Sequence, residues 1–406
     1  MKSCGLLGEK LGHSFSPEIH ALLGDYSYRL YEKQPDELGD FLRSGAFDGL
    51  NVTIPYKRDV IPYCAELSSR AASIGSVNTI IRRQDGTLYG DNTDYGGFAC
   101  MLAYAGLSLQ GKKVLVLGSG GASRTAQAVL RDRGADVVVI SRQGPDNYES
   151  LSRHSDTFAV VNATPVGMYP QNGEAPVDLA LLPRCQGVFD LIYNPWRTAL
   201  LLQAEERGIA AVGGMRMLVE QARLAAGLFT GRTVSPGETE RLTALLERAK
   251  KNIALIGMPG SGKTSVGRAL ADLLGRPFAD VDESITARAG KSVAEIFATE
   301  GEEAFRRLET QALAELSRQS GSVVAAGGGV VTRAENRSLL RQNSTVVWLT
   351  RDRKELPIDG RPISQSRPLD ELERERTPLY REWSDLCVPN CGIAQTARHI
   401  QKELKL

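Results

Sequence analysis

The chain has 406 residues, 42% apolar and 24% charged, the composition of globular protein and enough length for two or three domains. Lys and Arg total 49 against 48 Asp and Glu, so a net charge of +1 offers no bulk attraction for nucleic acid or an anionic membrane. No apolar run approaches a membrane span, and the opening MKSCGLLGEKLG lacks the apolar core of a signal peptide, so a cytoplasmic, soluble protein is expected. Of six scattered cysteines, the close pair Cys387 and Cys391 has no second pair or histidine nearby to complete a zinc site, and reduced thiols are expected.

Short β-branched runs alternate with helical stretches, the pattern of α/β architecture with mostly parallel sheets. Residues 1–100 carry strands such as YSYRLYE and GLNVTIP and helices such as SPEIHALLG and PDELGDFLRSG. They end in a hairpin, VNTIIRRQDGTLYGDN, turned by Asp85-Gly86. Lys57 closes NVTIPYK, and Asp94 lies in GDNTDYGG. On strand-end loops this pair could move a proton at a carbonyl oxygen, the carboxylate orienting the ammonium. It could equally be a surface ion pair, and the two residues alone leave both readings open.

A second unit, residues 101–214, begins with GKKVLVLGSGGAS. Further strands follow at DVVVISR, FAVVNAT, GVFDLIYNP and IAAVGG, so five strands with intervening helices are expected. Gly118, Gly120 and Gly121 sit between the buried strand VLVLG and the amphipathic helix ASRTAQAVLRDRG. Glycines there let the backbone approach a pyrophosphate at the helix N-terminus. Ser123 stands where the dinucleotide fingerprint has its third glycine or alanine. The next strand ends in ISRQ, not in the acid that would hold the ribose hydroxyls of NAD. Arg142 suits a 2′-phosphate, so NADP(H) is expected. The stretch 231–250 reads as a turn plus a charged helix, a linker.

The third unit, residues 251–406, opens with NIALIGMPGSGKT. Gly257–Thr264 matches G-x-x-x-x-G-K-[ST] in full, between a buried strand and the helix TSVGRALADLLG. Amides around Gly260, Ser261 and Gly262 would cradle the phosphates of ATP, Lys263 would reach the β/γ-phosphates, and Thr264 would bind Mg²⁺. ATPases, GTPases and small-molecule kinases share this loop. The lack of a guanine-reading NKxD disfavours a GTPase.

GHSFSPEIH, NVTIPYK, SVNT, GDNTDYGG, GSGGAS, NATPVGM, DLIYNP and GGMRMLVEQA run in order over roughly residues 1–230, and together they resemble the shikimate dehydrogenases. The resemblance implies reversible reduction of 3-dehydroshikimate to shikimate by NADPH. It implies a substrate domain over 1–100, completed by a returning helix at 215–230, and a Rossmann-type NADP domain over 101–214. By family pattern Ser14, Ser16, Thr53, Asn78, Tyr193 and Gln221 line the substrate pocket, and Lys57 and Asp94 are the catalytic pair, Asp94 also meeting substrate. Gly118, Gly120, Gly121 and Ala122 line the cofactor loop, with Gly214 and Met217 near the nicotinamide. The family's NRT is Ser141-Arg142-Gln143 here, so relaxed use of NAD or quinate is the alternative. A tryptophan expected near GLFTGR is missing.

FADVDESI, IFATEGEEAFRRLE, GGGVV, GRPI and RTPLYRE, in order across about residues 250–406, resemble shikimate kinase, a P-loop domain of the nucleoside monophosphate kinase type. The resemblance implies ATP-dependent phosphorylation of shikimate to shikimate 3-phosphate. It gives Asp280 to the Mg²⁺ side and Asp282 to the substrate hydroxyls and their proton. Arg306, supported by Glu309, and Arg376 clamp the carboxylate, Gly328 and Gly329 approach the ring, and Arg361 meets the transferring phosphoryl group. Without the resemblance, Arg306 and Glu309 would read as an exposed helical ion pair and Arg376 as part of a solvated charged face. Residues 353–367 look shorter than the family's lid, with Arg367 a rival to Arg361, and a short lid would raise uncoupled ATP hydrolysis. The two resemblances are to consecutive steps towards chorismate, the precursor of aromatic amino acids. A kinase carrying a non-catalytic NADP-sensing module is the competing reading.

Overall fold

The computed structural model describes residues 1–12, 14–352 and 368–406, and the chain divides into two compact units. The first comprises residues 1–168, 174–193 and 203–245. The second comprises 169–173, 194–202 and 246–406. Among the described residues no helix is long and apolar enough to cross a membrane.

The first unit holds two sheets. In one, β1 (Ser3–Gly8), β2 (Ser27–Glu32), β3 (Gly49–Val52), β4 (Glu66–Leu67), β5 (Thr79–Arg82) and β6 (Leu88–Asp91) lie in the order β2-β1-β3-β5-β6-β4. The expected hairpin forms, with β5 and β6 antiparallel, and β3 also pairs antiparallel with β5, so this sheet is mixed. Leu7, Leu50, Val52 and Ile80 bury one face against Phe41, Phe47 and Tyr56.

In the other sheet, β7 (Lys113–Leu117), β8 (Asp136–Ile140), β9 (Ala159–Asn162), β10 (Gly187–Asp190) and β11 (Ala210–Val212) are all parallel, in the order β11-β10-β9-β7-β8. The strand order reverses beside β7, and the glycine loop follows that strand. This is where a doubly wound sheet leaves its ligand crevice. Two crossovers depart from expectation: β8 to β9 and β9 to β10 run through the 3-10 turns Tyr148–His154 and Leu179–Leu181 instead of α-helices. The segment SRQGPDN before the first turn is too rich in Gly, Pro, Asp and Asn to nucleate a helix.

The helices Asp94–Ala105 and Met215–Thr230 tie the two sheets together. Their contact depends on Gly96 and Gly97. A Cβ on Gly97 would lie 2.7 Å from the Met217 carbonyl oxygen, and one on Gly96 would lie 2.3 Å from a Leu224 methyl. The tandem glycines of GDNTDYGG therefore serve helix packing. Helix Gly237–Lys250 follows, as the charged stretch predicts.

The second unit carries β12 (Asn252–Ile256), β13 (Phe278–Asp280), β14 (Val323–Ala325), β15 (Ser344–Thr350) and β16 (Leu386–Pro389), all parallel, in the order β13-β14-β12-β15-β16. Alternate residues of β12 serve opposite cores. Ala254 and Ile256 pack with Phe305, Leu313 and Tyr380, while Ile253 and Leu255 pack with Val266, Leu270 and Ile400. A strand buried on both faces needs the unbroken apolar run IALI.

Gly97→Val is expected to destabilise the first unit by roughly 1–3 kcal/mol, the usual cost of overpacking. Urea denaturation followed through that unit's transition reads it. An unchanged midpoint would mean that the two helices separate at no cost.

Candidate active sites

Lys57 follows β3, and Asp94 is the first residue of helix Asp94–Ala105, where the helix dipole favours a carboxylate. The Lys57 Nζ donates to Asp94 Oδ2 at 2.6 Å, with the side chains only 17% and 9% exposed. The pair is sheltered, unlike an ordinary surface ion pair.

Substrate-pocket candidates gather from several elements. Asn78 is buried one residue before β5, and its Oδ1 accepts from the Thr93 amide at 2.7 Å while its Nδ2 donates to Thr93 Oγ1 at 3.0 Å. Thr93, directly before Asp94, thus locks Asn78 to the Asp94 helix. Nothing in the sequence reading singled it out, although it sits inside GDNTDYGG. Behind them Asn51 bridges Tyr28 and Thr79, accepting the Tyr28 hydroxyl at 2.8 Å and donating to Thr79 Oγ1 at 3.3 Å. Ser16 is buried at the start of helix Ser16–Ala21, and its amide donates to Ser14 Oγ at 3.2 Å. The Tyr193 ring lies 5.6 Å from the Phe15 ring between those serines, and burial pushes its phenol above the usual range. Gln221 is buried on helix Met215–Thr230, beside the Gly97 contact, and donates to the Leu218 carbonyl at 2.9 Å. Thr53 follows β3, its amide donating to the Leu7 carbonyl.

The glycine loop meets this site directly. A Cβ on Gly121 would stand 3.3 Å from Ser76 Oγ and 3.6 Å from Lys57 Cδ. Gly118 has φ +103°, and a Cβ on Gly120 would meet open space. Among the described residues no side chain caps helix Gly121–Asp132, so its first amides are available for a phosphate. Ser123 resolves its departure from the fingerprint: its buried hydroxyl turns back and donates to the Gly118 carbonyl at 2.6 Å. Ala122 is half-buried at that helix start, and Arg142 is exposed just past β8. Gly214 caps helix Met215–Thr230, and a Cβ there would lie 2.3 Å from the Leu191 carbonyl oxygen. Met217 follows, buried in the core beneath the parallel sheet. The residues present fit a dinucleotide phosphate.

In the second unit a cavity of about 580 Å³ gathers Lys263, Asp280, Asp282, Arg306, Gly328 and Arg376, with Gly260, Gly262, Thr264 and Gly329 also on its wall. The Lys263 Nζ donates to the carbonyls of Gly257 and Met258. Thr264 Oγ1 donates to Asp280 Oδ2 at 2.7 Å, so a hydroxyl and a carboxylate converge where a hard divalent cation could take both. Asp280 also caps helix Val281–Ala289, accepting from the amides of Asp282 and Glu283. Ser261 is fully buried in the loop.

Arg306 and Glu309 are buried, with Glu309 0% exposed, so they are no surface pair. Arg306 Nη1 donates to Glu309 Oε2 at 2.8 Å. Arg376 is 1% exposed and reaches the Gly328 carbonyl, which also accepts the Tyr380 hydroxyl. Among the described residues, Asp282 Oδ1, Glu309 Oε1, Arg306 Nε and Arg376 Nε find no hydrogen-bond partner. Buried polar groups are rarely left so, and a ligand rich in hydroxyls and a carboxylate would meet this set. The first glycine of GGGVV was not singled out, yet a Cβ on Gly327 would strike Glu309 Oε1 at 2.2 Å, and one on Gly329 would strike the Arg306 guanidinium at 2.2 Å. Arg361 and its rival Arg367 lie outside the described residues.

Residues 6–80 match the family model described as shikimate dehydrogenase substrate binding domain, and residues 259–405 match the one described as shikimate kinase. The shikimate dehydrogenase (NADP(+)) of Clostridium perfringens strain 13 is 36% identical over 264 residues, 60% of this chain and 97% of that protein. The chain belongs to the shikimate dehydrogenase family. Its C-terminal part is a shikimate kinase domain, and the two make a bifunctional shikimate pathway enzyme. A chorismate mutase/shikimate 5-dehydrogenase fusion from Clostridium acetobutylicum superposes with a TM-score of 0.57 at 36% identity, over 61% of this chain and 97% of that one. The shikimate 5-dehydrogenase of Thermus thermophilus in complex with NADP(H) and shikimate gives 0.55 at 32% identity, over 60% and 98%.

In the shikimate kinase domain the Asp282 carboxyl is shifted towards neutral pH. Burial, then the charges of Asp280 and Glu309, push the Asp282 carboxyl up to about 6, against the pull of Lys263 and Arg306. A raised carboxyl is protonated over a wider acid range, so its capacity to accept a proton is lost as pH falls through that value. The kcat/KM for phosphorylation is expected to drop about tenfold per pH unit below about 6 and to level off above about 7. Asp282→Asn should remove that limb. A wild-type profile flat across this range would take Asp282 out of proton transfer.

Proposed function

We propose that the first unit reduces 3-dehydroshikimate to shikimate with NADPH and that the second phosphorylates the resulting 3-hydroxyl with ATP and Mg²⁺. The observation that carries the first half is the sheltered Lys57–Asp94 pair beside Gly121 of the glycine loop. When bound, NADPH supplies the hydride. Lys57 stands to stabilise and protonate the oxygen that gains charge, with Asp94 fixing the ammonium's position. Ser14, Ser16, Thr53, Asn78, Tyr193 and Gln221 would read the ring by hydrogen bonds, which penalise an analogue lacking a hydroxyl. Arg142, with no carboxylate at its strand end, favours the 2′-phosphate of NADP(H).

In the second unit the loop amides and Lys263 would hold the phosphates, and Thr264 with Asp280 would hold Mg²⁺, whose charge offsets that of the phosphates. Asp282 would accept the hydroxyl proton, while Arg306 and Arg376 clamp the carboxylate and Gly328 and Gly329 admit the ring. In this reading 1–100 with helix 215–230 form the substrate domain, 101–214 the cofactor domain, 231–250 the linker and 251–406 the kinase. Its supply of NADPH and ATP would be cytoplasmic.

One incubation with 3-dehydroshikimate, NADPH, ATP and Mg²⁺, read by mass spectrometry, is expected to yield shikimate 3-phosphate. Lys57→Ala should lower dehydrogenase kcat on the order of 10²–10⁴-fold with NADPH binding retained. An unaltered reduction rate would return the first unit to an NADP-sensing role.

A further inference from the structure

The phosphate loop of the second unit can present amides to a ligand only if its carbonyls face away, because C=O and N–H of one trans peptide point in opposite directions. Four loop carbonyls are each taken by a side-chain donor. Lys263 Nζ takes those of Gly257 and Met258 at 2.9 and 3.0 Å, and Arg351 Nη1 takes that of Gly260 at 3.4 Å. The fourth carbonyl, that of Ser261, is met by Asn390, which lies just past β16 in a stretch that no motif covers. Its Nδ2 donates to the Ser261 carbonyl at 2.7 Å.

We propose that Asn390 is a positioning residue of the kinase, pinning the Ser261–Gly262 peptide so that its amide faces the nucleotide phosphates. The residue is anchored on every side. Its own amide donates to the Thr350 carbonyl at the end of β15 at 2.8 Å. Its Oδ1 accepts from the Gly392 amide at 3.1 Å and from the hydroxyl of Thr396, on helix Ile393–Glu403, at 3.2 Å. The partners dictate which way the side-chain amide points, since Gly392 N–H can only donate and Ser261 C=O can only accept. Gly262 completes the fit. It has φ +94°, and a Cβ there would lie 2.3 Å from Asn390 Nδ2. The glycine before Lys263 therefore makes room for Asn390 as well as bending the loop.

The two halves of the Asn390 amide do different jobs, and this separates positioning from mere loop anchoring. Asn390→Asp keeps the acceptor towards Gly392 and Thr396 but sets an oxygen against the Ser261 carbonyl. The full chain is titrated with ADP in Mg²⁺ by calorimetry, so the readout stands even if the chain fails to phosphorylate shikimate. The inference rests on the kinase reading only for the choice of nucleotide. Asn390→Asp is expected to weaken ADP about tenfold and Asn390→Ala about three- to fivefold, since a lost hydrogen bond with added repulsion costs more than the bond alone. The KM for ATP should rise in step, with the KM for shikimate within about twofold and the thermal midpoint preserved. Wild-type ADP affinity in Asn390→Asp would overturn the proposal. So would a loss that follows a fallen thermal midpoint or affects both substrates equally.

Discussion

A charge taken out of water is tolerated only where another charge or a set of dipoles meets it, and both sites are organised around that constraint. In the first unit a single ammonium and a single carboxylate satisfy each other, Lys57 against Asp94 at 2.6 Å. The helix that starts at Asp94 is held by Gly96 and Gly97 against the helix carrying Met217 and Gln221. The pair therefore fixes the lysine with respect to both that helix and the glycine loop. In the second unit the balance is collective. Arg306, Arg376 and Lys263 face Asp280, Asp282 and Glu309 around one cavity, and Gly327 and Gly329 leave the space that Glu309 and Arg306 fill. Burial, reinforced by the charges of Asp280 and Glu309, raises Asp282, so the same burial that demands pairing also sets the acid–base behaviour of that carboxyl.

Much of this was legible in the sequence because backbone–phosphate chemistry has a fixed grammar. Strand, glycine loop and helix appear where GSGGAS and GMPGSGKT place them, and the alternation of strands and helices predicts the parallel sheets. What escaped was long-range. Thr93 locks Asn78 across 15 positions, and Asn390 reaches Ser261 across 129, and no local period encodes such a contact. Gly327 was hidden for another reason: a glycine run says that backbone comes close, but not which side chain comes close to it. Arg306 and Glu309 were ambiguous because i, i+3 spacing is the same for a solvated pair and a buried one. Only the packing of helix Val293–Ser317 against its sheet separates them. The missing helices between β8 and β10 were misread because strand spacing suggested crossovers, while composition favoured turns.

The two sites address one ring with different tools, and the difference follows from what stands beside it. In the proposed dehydrogenase reaction the neighbour is a dinucleotide whose reacting end is an uncharged or singly charged ring. Hydroxyls and amides from Ser14, Ser16, Asn78 and Gln221 then suffice to hold a carboxylated substrate, and one ammonium serves the oxygen that gains charge. In the proposed kinase reaction the neighbour is a polyphosphate. A carboxylate brought close to it is repelled, and neutral donors could not hold it there. Two guanidiniums can, each a planar fork of donors matched to a carboxylate. Their positive charge, buried, requires Glu309, and Glu309 in turn presses on Asp282. The proposed carboxylate clamp and the proposed proton acceptor are thus coupled through the charge of Glu309. A chain that joins both sites needs no shared pocket to profit, since the hydroxyl made at one is the acceptor at the other and translation supplies the two in equal number.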